Sequence, residues 1–182
     1  MSEPRESTIP HVPPTPDQTG IDAPTPIDKI PRTAYGVARD YAFLTDIPFS
    51  ADVYQALRRI NPDLKEGIRG YNTSYFEARF LMTDKLLDEF GISQIFEIAA
   101  GFSARGLQRT QDSSVRYVGL DLPQQTEVIK KVVEDLTRRD VVHPGSNFFL
   151  EAGNALEAQD LARASQHFDF GKPVGIVCEG LL

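Results

Sequence analysis

The chain has 182 residues, a net charge of −7 from 19 basic and 26 acidic side chains, and a hydrophobic content of 41%. That length suits one domain, and the acidic balance excludes non-specific nucleic-acid binding, which needs clustered Lys and Arg on phosphates. A single cysteine leaves no internal disulfide framework, no apolar run nears the ~20 residues that cross a bilayer, and the N-terminus lacks a secretory apolar core; a cytoplasmic protein without membrane contact is expected.

In chain order, residues 1–32 stand apart. Eight of the 13 prolines fall at positions 4, 10, 13, 14, 16, 24, 26 and 31. Proline lacks an amide donor and holds its predecessor extended, so this segment reads as a PPII-like or disordered leader. Residues 33–92 then turn helical. "TAYGVARDYAFL" and "SADVYQALRRI" are short helix candidates, the second with Ser50 as its N-cap. "YNTSYFEARFLMTDKLLDEF" is a longer one, with Phe76, Phe80, Leu87 and Phe90 near one stripe and Gly91 as its stop.

Residues 93–182 alternate. "SQIFEIAA", "VRYVGLD", "NFFLEA" and "PVGIVCEG" read as strands. Between them, "SARGLQRT", "PQQTEVIKKVVEDLTRR" (opened by Pro123) and "ALEAQDLARAS" read as helices. Strands alternating with helices imply βαβ units and a parallel sheet covered on both faces, so the expected class is α/β, a Rossmann-like doubly wound sheet preceded by helices. The sequence stops just after the fourth strand, which suggests a truncated form of a longer enzyme or one that requires a partner. An exposed sheet edge would invite self-association.

In such sheets, ligands bind beyond the carboxyl ends of the strands, which draws attention to "FEIAAGFSARGL", Phe96 to Leu107. Gly101 lets a ligand approach the backbone closely, and the helix that follows offers free amides. Two ligand classes compete at this point. Ala99, Gly101 and Ala104 form A-x-G-x-x-A with Asp121 ending the second strand, a dinucleotide fingerprint lacking its first glycine. An S-adenosylmethionine loop would instead begin at a strand-end carboxylate, Glu97, with Asp121 again on the ribose diol. The spacing alone leaves both open. Cys178 lies inside an apolar strand and reads as a small hydrophobe rather than a nucleophile.

"FEIAAGFSARGLQR", "YVGLDLPQQTEVIKK" and "PVGIVCEGLL" together resemble the leucine carboxyl methyltransferase-like family, which includes bacterial polyketide-type O-methyltransferases. Family loops typically read E-L-G-A-G-F-D-T-R, second strands end in D-L-P, and fourth strands end in E-G-L-L. The resemblance covers about residues 33–182 and implies the first part of a class I methyltransferase fold with S-adenosyl-L-methionine as cofactor. It implies that Gly101 lines the methionine portion, with Glu97 nearby, and that Asp121 holds the ribose. By the same resemblance Arg79 grips the cofactor carboxylate, Asn154 and Ala155 contact adenine, and Glu179 lies close to the cofactor. Arg105 matches the loop arginine, with a helix-surface role as its alternative. Three departures stand out: Ala99 replaces a glycine and requires a negative φ, Ser103 replaces an acid, and Asn154 replaces an Asp.

The implied activity is methyl transfer to an oxygen, a carboxylate or acidic hydroxyl, of a small molecule or a protein C-terminus. A non-catalytic fragment or binding module and an NAD(P)-binding oxidoreductase are the alternatives. No metal ligand set is expected, since His11, His143 and His167 lack ligand spacing.

Overall fold

The computed structural model describes residues 32–63 and 73–179. The Pro-rich leader (residues 1–31), residues 64–72 and the end of the E-G-L-L motif (residues 180–182) lie outside those residues. Three helices come first: α1 (Arg32–Leu44), α2 (Ser50–Ile60) and α3 (Thr73–Glu89). The alternating part follows as β1 (Gln94–Ile98), α4 (Arg105–Arg109), β2 (Arg116–Asp121), α5 (Pro123–Arg138), β3 (Phe148–Ala152), α6 (Ala158–Ser165) and β4 (Gly175–Cys178). All strand pairs are parallel, in the order β3-β2-β1-β4. The fold is therefore α/β, a Rossmann-like parallel sheet preceded by helices. Among the described residues, no helix is long and apolar enough to cross a membrane.

The strand register explains the two-sided core. Ile95 aligns with Tyr117, and Tyr117 with Phe148, so these side chains share one face. The next residues, Phe96, Val118 and Phe149, share the other. On the first face Leu87 of α3 packs with Ile95, Tyr117 and Val177, and Val128, Val132 and Leu136 of α5 join a larger core with Val53 and Leu57 of α2. On the second face Ala164 of α6 and Phe168 pack on Phe96, Val118 and Leu120. Helices thus cover both faces, as buried apolar runs in parallel strands require.

β4 departs from this pattern. Among the described residues it pairs only with β1, and Ile176 on its second face is 69% exposed. Cys178, two residues on and pointing the same way, is exposed as well. The expectation of a buried, small-hydrophobe cysteine fails here because strand polarity alone does not say which strand lies at the edge.

Helix ends show where local signals hold. The amide of Gly91 bonds to the Asp88 carbonyl and that of Ile92 to the Leu87 carbonyl, with Gly91 at φ 61. This is a Schellman stop with its usual apolar contact between Leu87 and Ile92. Because α3 ends at Glu89, Phe90 leaves the expected stripe and is 71% exposed. Pro123 opens α5 as expected. Ser50, by contrast, is not an N-cap. The bend that buries Ile47 leaves Phe49 at φ 63 in the cap position, and Ser50 becomes the first helical residue with an unpartnered hydroxyl.

α2 and α5 are also joined by charge. Asp135 accepts from the Nε and Nη2 of Arg59 at 2.9 and 2.7 Å. Burial works against the Asp135 charge, but the Arg59 bonds and the charges of Arg59, Arg139 and Arg138 hold its pKa below the ordinary 3.8. A carboxylate with a lowered folded pKa contributes its full stability above that ordinary value and loses it as the pH falls through the folded value. Asp135→Asn is expected to cost about 1 kcal/mol at neutral pH in urea unfolding, and the gap from the parent should close in acid. A gap of constant size at every pH would assign the stabilisation to packing.

Candidate functional site

The carboxyl ends of the strands carry two side-chain clusters, and β1 contributes to both. The first is built around a guanidinium in the opening turn of α4. Arg105 has a side chain that is 0% exposed. Its Nε donates to Asp84 of α3 at 2.7 Å, its Nη1 donates to Glu97 of β1, and its Nη2 donates to Glu179 at 2.8 Å. Nη2 also lies 3.5 Å from the Phe80 carbonyl oxygen, and the guanidinium stacks over the Phe80 ring at 4.2 Å. The second oxygen of Glu179 accepts from Arg79 Nε at 3.1 Å. The Arg79 guanidinium lies 5.2 Å from the Phe76 ring and 5.7 Å from that of Tyr75.

Local sequence makes room for this cluster. The second Glu97 oxygen accepts from the Tyr117 hydroxyl at 2.7 Å. Tyr117 sits on β2, two residues before Gly119, and Gly119 is the register partner of Glu97. The tyrosine therefore runs along its own strand, over Gly119, to reach the acid. A Cβ on Gly119 would come within 3.1 Å of the ring, and one on Gly106 of α4 within 2.4 Å. Two small residues, one below the ring and one above it, are the condition for the Tyr117–Glu97 bond.

Electrostatics follow from burial. Burial pushes the Glu97 carboxyl up, and the Arg105 charge and Tyr117 hydroxyl offset only part of that. Burial and the neighbouring Glu97 push the Tyr117 phenol well above 10.0. Burial would lower the Arg105 pKa, but Glu97, Glu179 and Asp84 outweigh it, so Arg105 stays charged.

The second cluster is a clasp between two loops. Asp121, at the end of β2, accepts the Gly101 amide on one oxygen and the Leu122 amide on the other, each at 2.8 Å. The Ala99 amide continues the ladder to the Leu120 carbonyl. Burial raises the Asp121 pKa against the opposing effect of its two amide bonds. Among the described residues, no hydrogen bond engages the amides of Ala100 and Phe102. Phe102 instead packs its ring on Tyr35 of α1 at 5.2 Å, which brings the N-terminal helices over the loop.

The structure puts every sequence-selected residue at this end of the sheet, but in separate groups. Arg79, Glu97 and Glu179 meet through Arg105. Gly101 and Asp121 bond directly. Asn154 and Ala155 follow β3, where the preceding Gly153 amide bonds to the Asp121 carbonyl. Asn154 itself caps a turn: its amide donates to Asp160 at 2.7 Å and its side-chain oxygen accepts the Leu156 amide at 3.0 Å. Ala155 packs toward the core under α6. Two readings are corrected. Arg105 is no helix-surface charge but the most enclosed side chain of the site. Ala99 does not keep a negative φ; it stands at φ 52, two residues before Gly101 at φ 53.

Asp84, Tyr117, Gly106 and Gly119 were not legible as site residues. The signal that could have found Tyr117 and Gly119 is strand alternation, which puts both on the same face as Glu97 once β1 and β2 are aligned. No family model matches the chain, nor does any curated protein.

An alanine in the left-handed region carries a strain that glycine lacks. Ala99→Gly relieves it while adding some freedom to the unfolded chain, and is expected to stabilise the protein by about 0.5–1 kcal/mol. Urea unfolding would measure this. A destabilised variant would mean that the alanine methyl makes a packing contribution larger than its strain.

Proposed function

We propose that this chain is an adenosyl-ligand-binding domain of the class I methyltransferase type, with S-adenosyl-L-methionine as cofactor. The reaction would transfer a methyl group to an oxygen of a small-molecule acceptor or a protein C-terminus. The observation that carries this reading is the clasp between Gly101 and Asp121. It joins a glycine loop and an acid at the ends of the two central strands, where open parallel sheets bind ligands.

The residues suit such a ligand. A carboxylate accepts about four hydrogen bonds, so Asp121, with one amide on each oxygen, retains capacity for a ribose diol. Among its nitrogens, Arg79 uses Nε for Glu179, and its charge acts on the nearby Tyr41 phenol. The remaining N–H donors form a planar fork suited to a ligand carboxylate. The Ala100 and Phe102 amides, unengaged among the described residues, are further donors on the Gly101 loop. When bound, the cofactor supplies an electrophilic sulfonium methyl; the chain's task is to hold that ligand and its acceptor in line.

The same geometry bears on the acceptor. Asp84, Glu97 and Glu179 are all committed to Arg105, Asp121 is committed to amides, and the Tyr117 and Tyr41 phenols are both pushed up by burial. None is a free general base at neutral pH. An acceptor that is already ionised, a carboxylate above all, needs no proton removed and fits this set of residues. The full commitment of the acids also suits a module that binds an adenosyl ligand without chemistry, and a screen of carboxylate acceptors with labelled cofactor separates the two.

Calorimetric titration with S-adenosylhomocysteine, with NAD⁺ as comparator, tests the reading. Saturable binding of the former alone supports it, whereas binding of NAD⁺ alone promotes an oxidoreductase. Asp121→Ala is expected to weaken S-adenosylhomocysteine by about 1–3 kcal/mol; an unchanged affinity removes Asp121 from the site. Arg79→Ala should weaken S-adenosylhomocysteine more than adenosine, which lacks the carboxylate. Equal losses would take Arg79 off the ligand.

A further inference from the structure

Arg79 stands on α3 and Glu179 lies one residue past β4. The last ladder pair of β4 is Cys178 with Ile98, and among the described residues β4 is bonded on one side only. Backbone pairing therefore stops short of Glu179, and the Glu179 carboxylate is held by side chains. One of its oxygens is bonded by Arg105 at 2.8 Å and the other by Arg79 at 3.1 Å. The two contacts differ in kind. Arg105 is fully enclosed, its remaining donors fixed on Asp84 and Glu97 and its plane on the Phe80 ring. The Arg79 side chain remains 28% exposed, with one ion pair, to Glu179, and the Phe76 and Tyr75 rings and Tyr41 nearby.

We infer that Arg105 is a positioning residue for the ligand site: through Glu179, it presets the Arg79 guanidinium so that its free donors face the carboxyl end of β4. Arg105 does not touch the ligand. Its anchored Nη2 fixes the Glu179 carboxylate, whose second oxygen then orients Arg79 by Nε and leaves the other donors for an incoming carboxylate. A long, half-exposed arginine otherwise samples many rotamers, and ordering it on binding would weaken affinity. The chain supplies that order in advance. This inference rests on the proposed adenosyl-ligand reading for its ligand consequence, but not for the positioning itself.

Arg105→Lys tests it, because lysine keeps the charge but cannot bond three carboxylates in one plane. Glu179→Gln serves alongside, since it keeps the Arg105 network with Asp84 and Glu97. Two readouts are needed on the folded variants. The first is the Arg79 Nε–H signal in nitrogen-resolved NMR, with no ligand present. Slow exchange in the parent and faster exchange in both variants is expected; an Arg79 signal unchanged by either substitution overturns the inference. The second is affinity for S-adenosylhomocysteine and adenosine. Both variants should lose about tenfold or more on the former, the scale of one charge-assisted bond, and little on the latter. In an Arg79→Ala background that loss should vanish. Equal losses on both ligands, or losses that persist without Arg79, overturn the inference in favour of a purely structural role. If the parent binds neither ligand while its Arg79 signal still depends on Arg105 and Glu179, the proposed function fails and the positioning stands. Should Arg105→Lys not fold, Glu179→Gln carries both readouts.

Discussion

A guanidinium with no solvent exposure is the constraint around which this fold is arranged. Taking such an ion out of water costs several kcal/mol even after relaxation, and only well-aligned partners offset that cost. Arg105 finds them on α3, β1 and the segment after β4, elements that lie far apart in sequence. The short α4, only five residues long, has little helical stability of its own. Its place on the sheet follows from this ionic anchor and from Leu107 in the core. Loss of Arg105 itself would leave the buried Glu97 carboxylate without its cation, which is far costlier than the pair is beneficial.

The second requirement is space. Glu97 can be an ion inside β1 because Tyr117 lies flat along β2 and donates to it, and Tyr117 can lie there because Gly106 and Gly119 lack side chains. Stacking of Tyr117 on Phe148 at 5.6 Å extends the same layer to β3. Polar and apolar parts of the sheet are thus joined by a single tyrosine, whose hydroxyl serves the acid and whose ring serves the core. The buried ions sit on the face under α3, α4 and α5, while the face under α6 is apolar at its centre.

The carboxyl edge combines a rigid and a more open half. The Arg105 cluster is closed by its own ion pairs. The loop from Ala99 to Ser103 is held instead by backbone bonds and by one carboxylate, Asp121, which is raised in pKa by burial yet supplied with two amides. Two left-handed residues, Ala99 and Gly101, turn the chain there. Only one of them is the residue type that adopts such a conformation without strain. Strained backbone at the end of a central strand is the kind of feature that persists where the surroundings over-determine it.

Local and periodic signals in the sequence carried most of the architecture. The alternation after residue 92 specified four strands and three helices, Gly91 and Pro123 marked a helix end and a helix start, and the class of sheet followed because buried parallel strands demand apolar runs. The positions of Gly101 and Asp121 at the strand ends were legible for the same reason, since both depend on spacing along the chain. Other features depended on packing between distant segments. Arg105 looks like any charged residue of a short helix until Asp84, Glu97 and Glu179 converge on it. Cys178 looks buried until β4 turns out to be the edge strand. The backbone of Ala99 is decided by how β1 must meet the Asp121 carboxylate, and the sign of φ is not written in an alanine. Periodicity reports which way a side chain points along its own element; only the tertiary structure decides what stands opposite it, and that sets the charge, strain and exposure of this site.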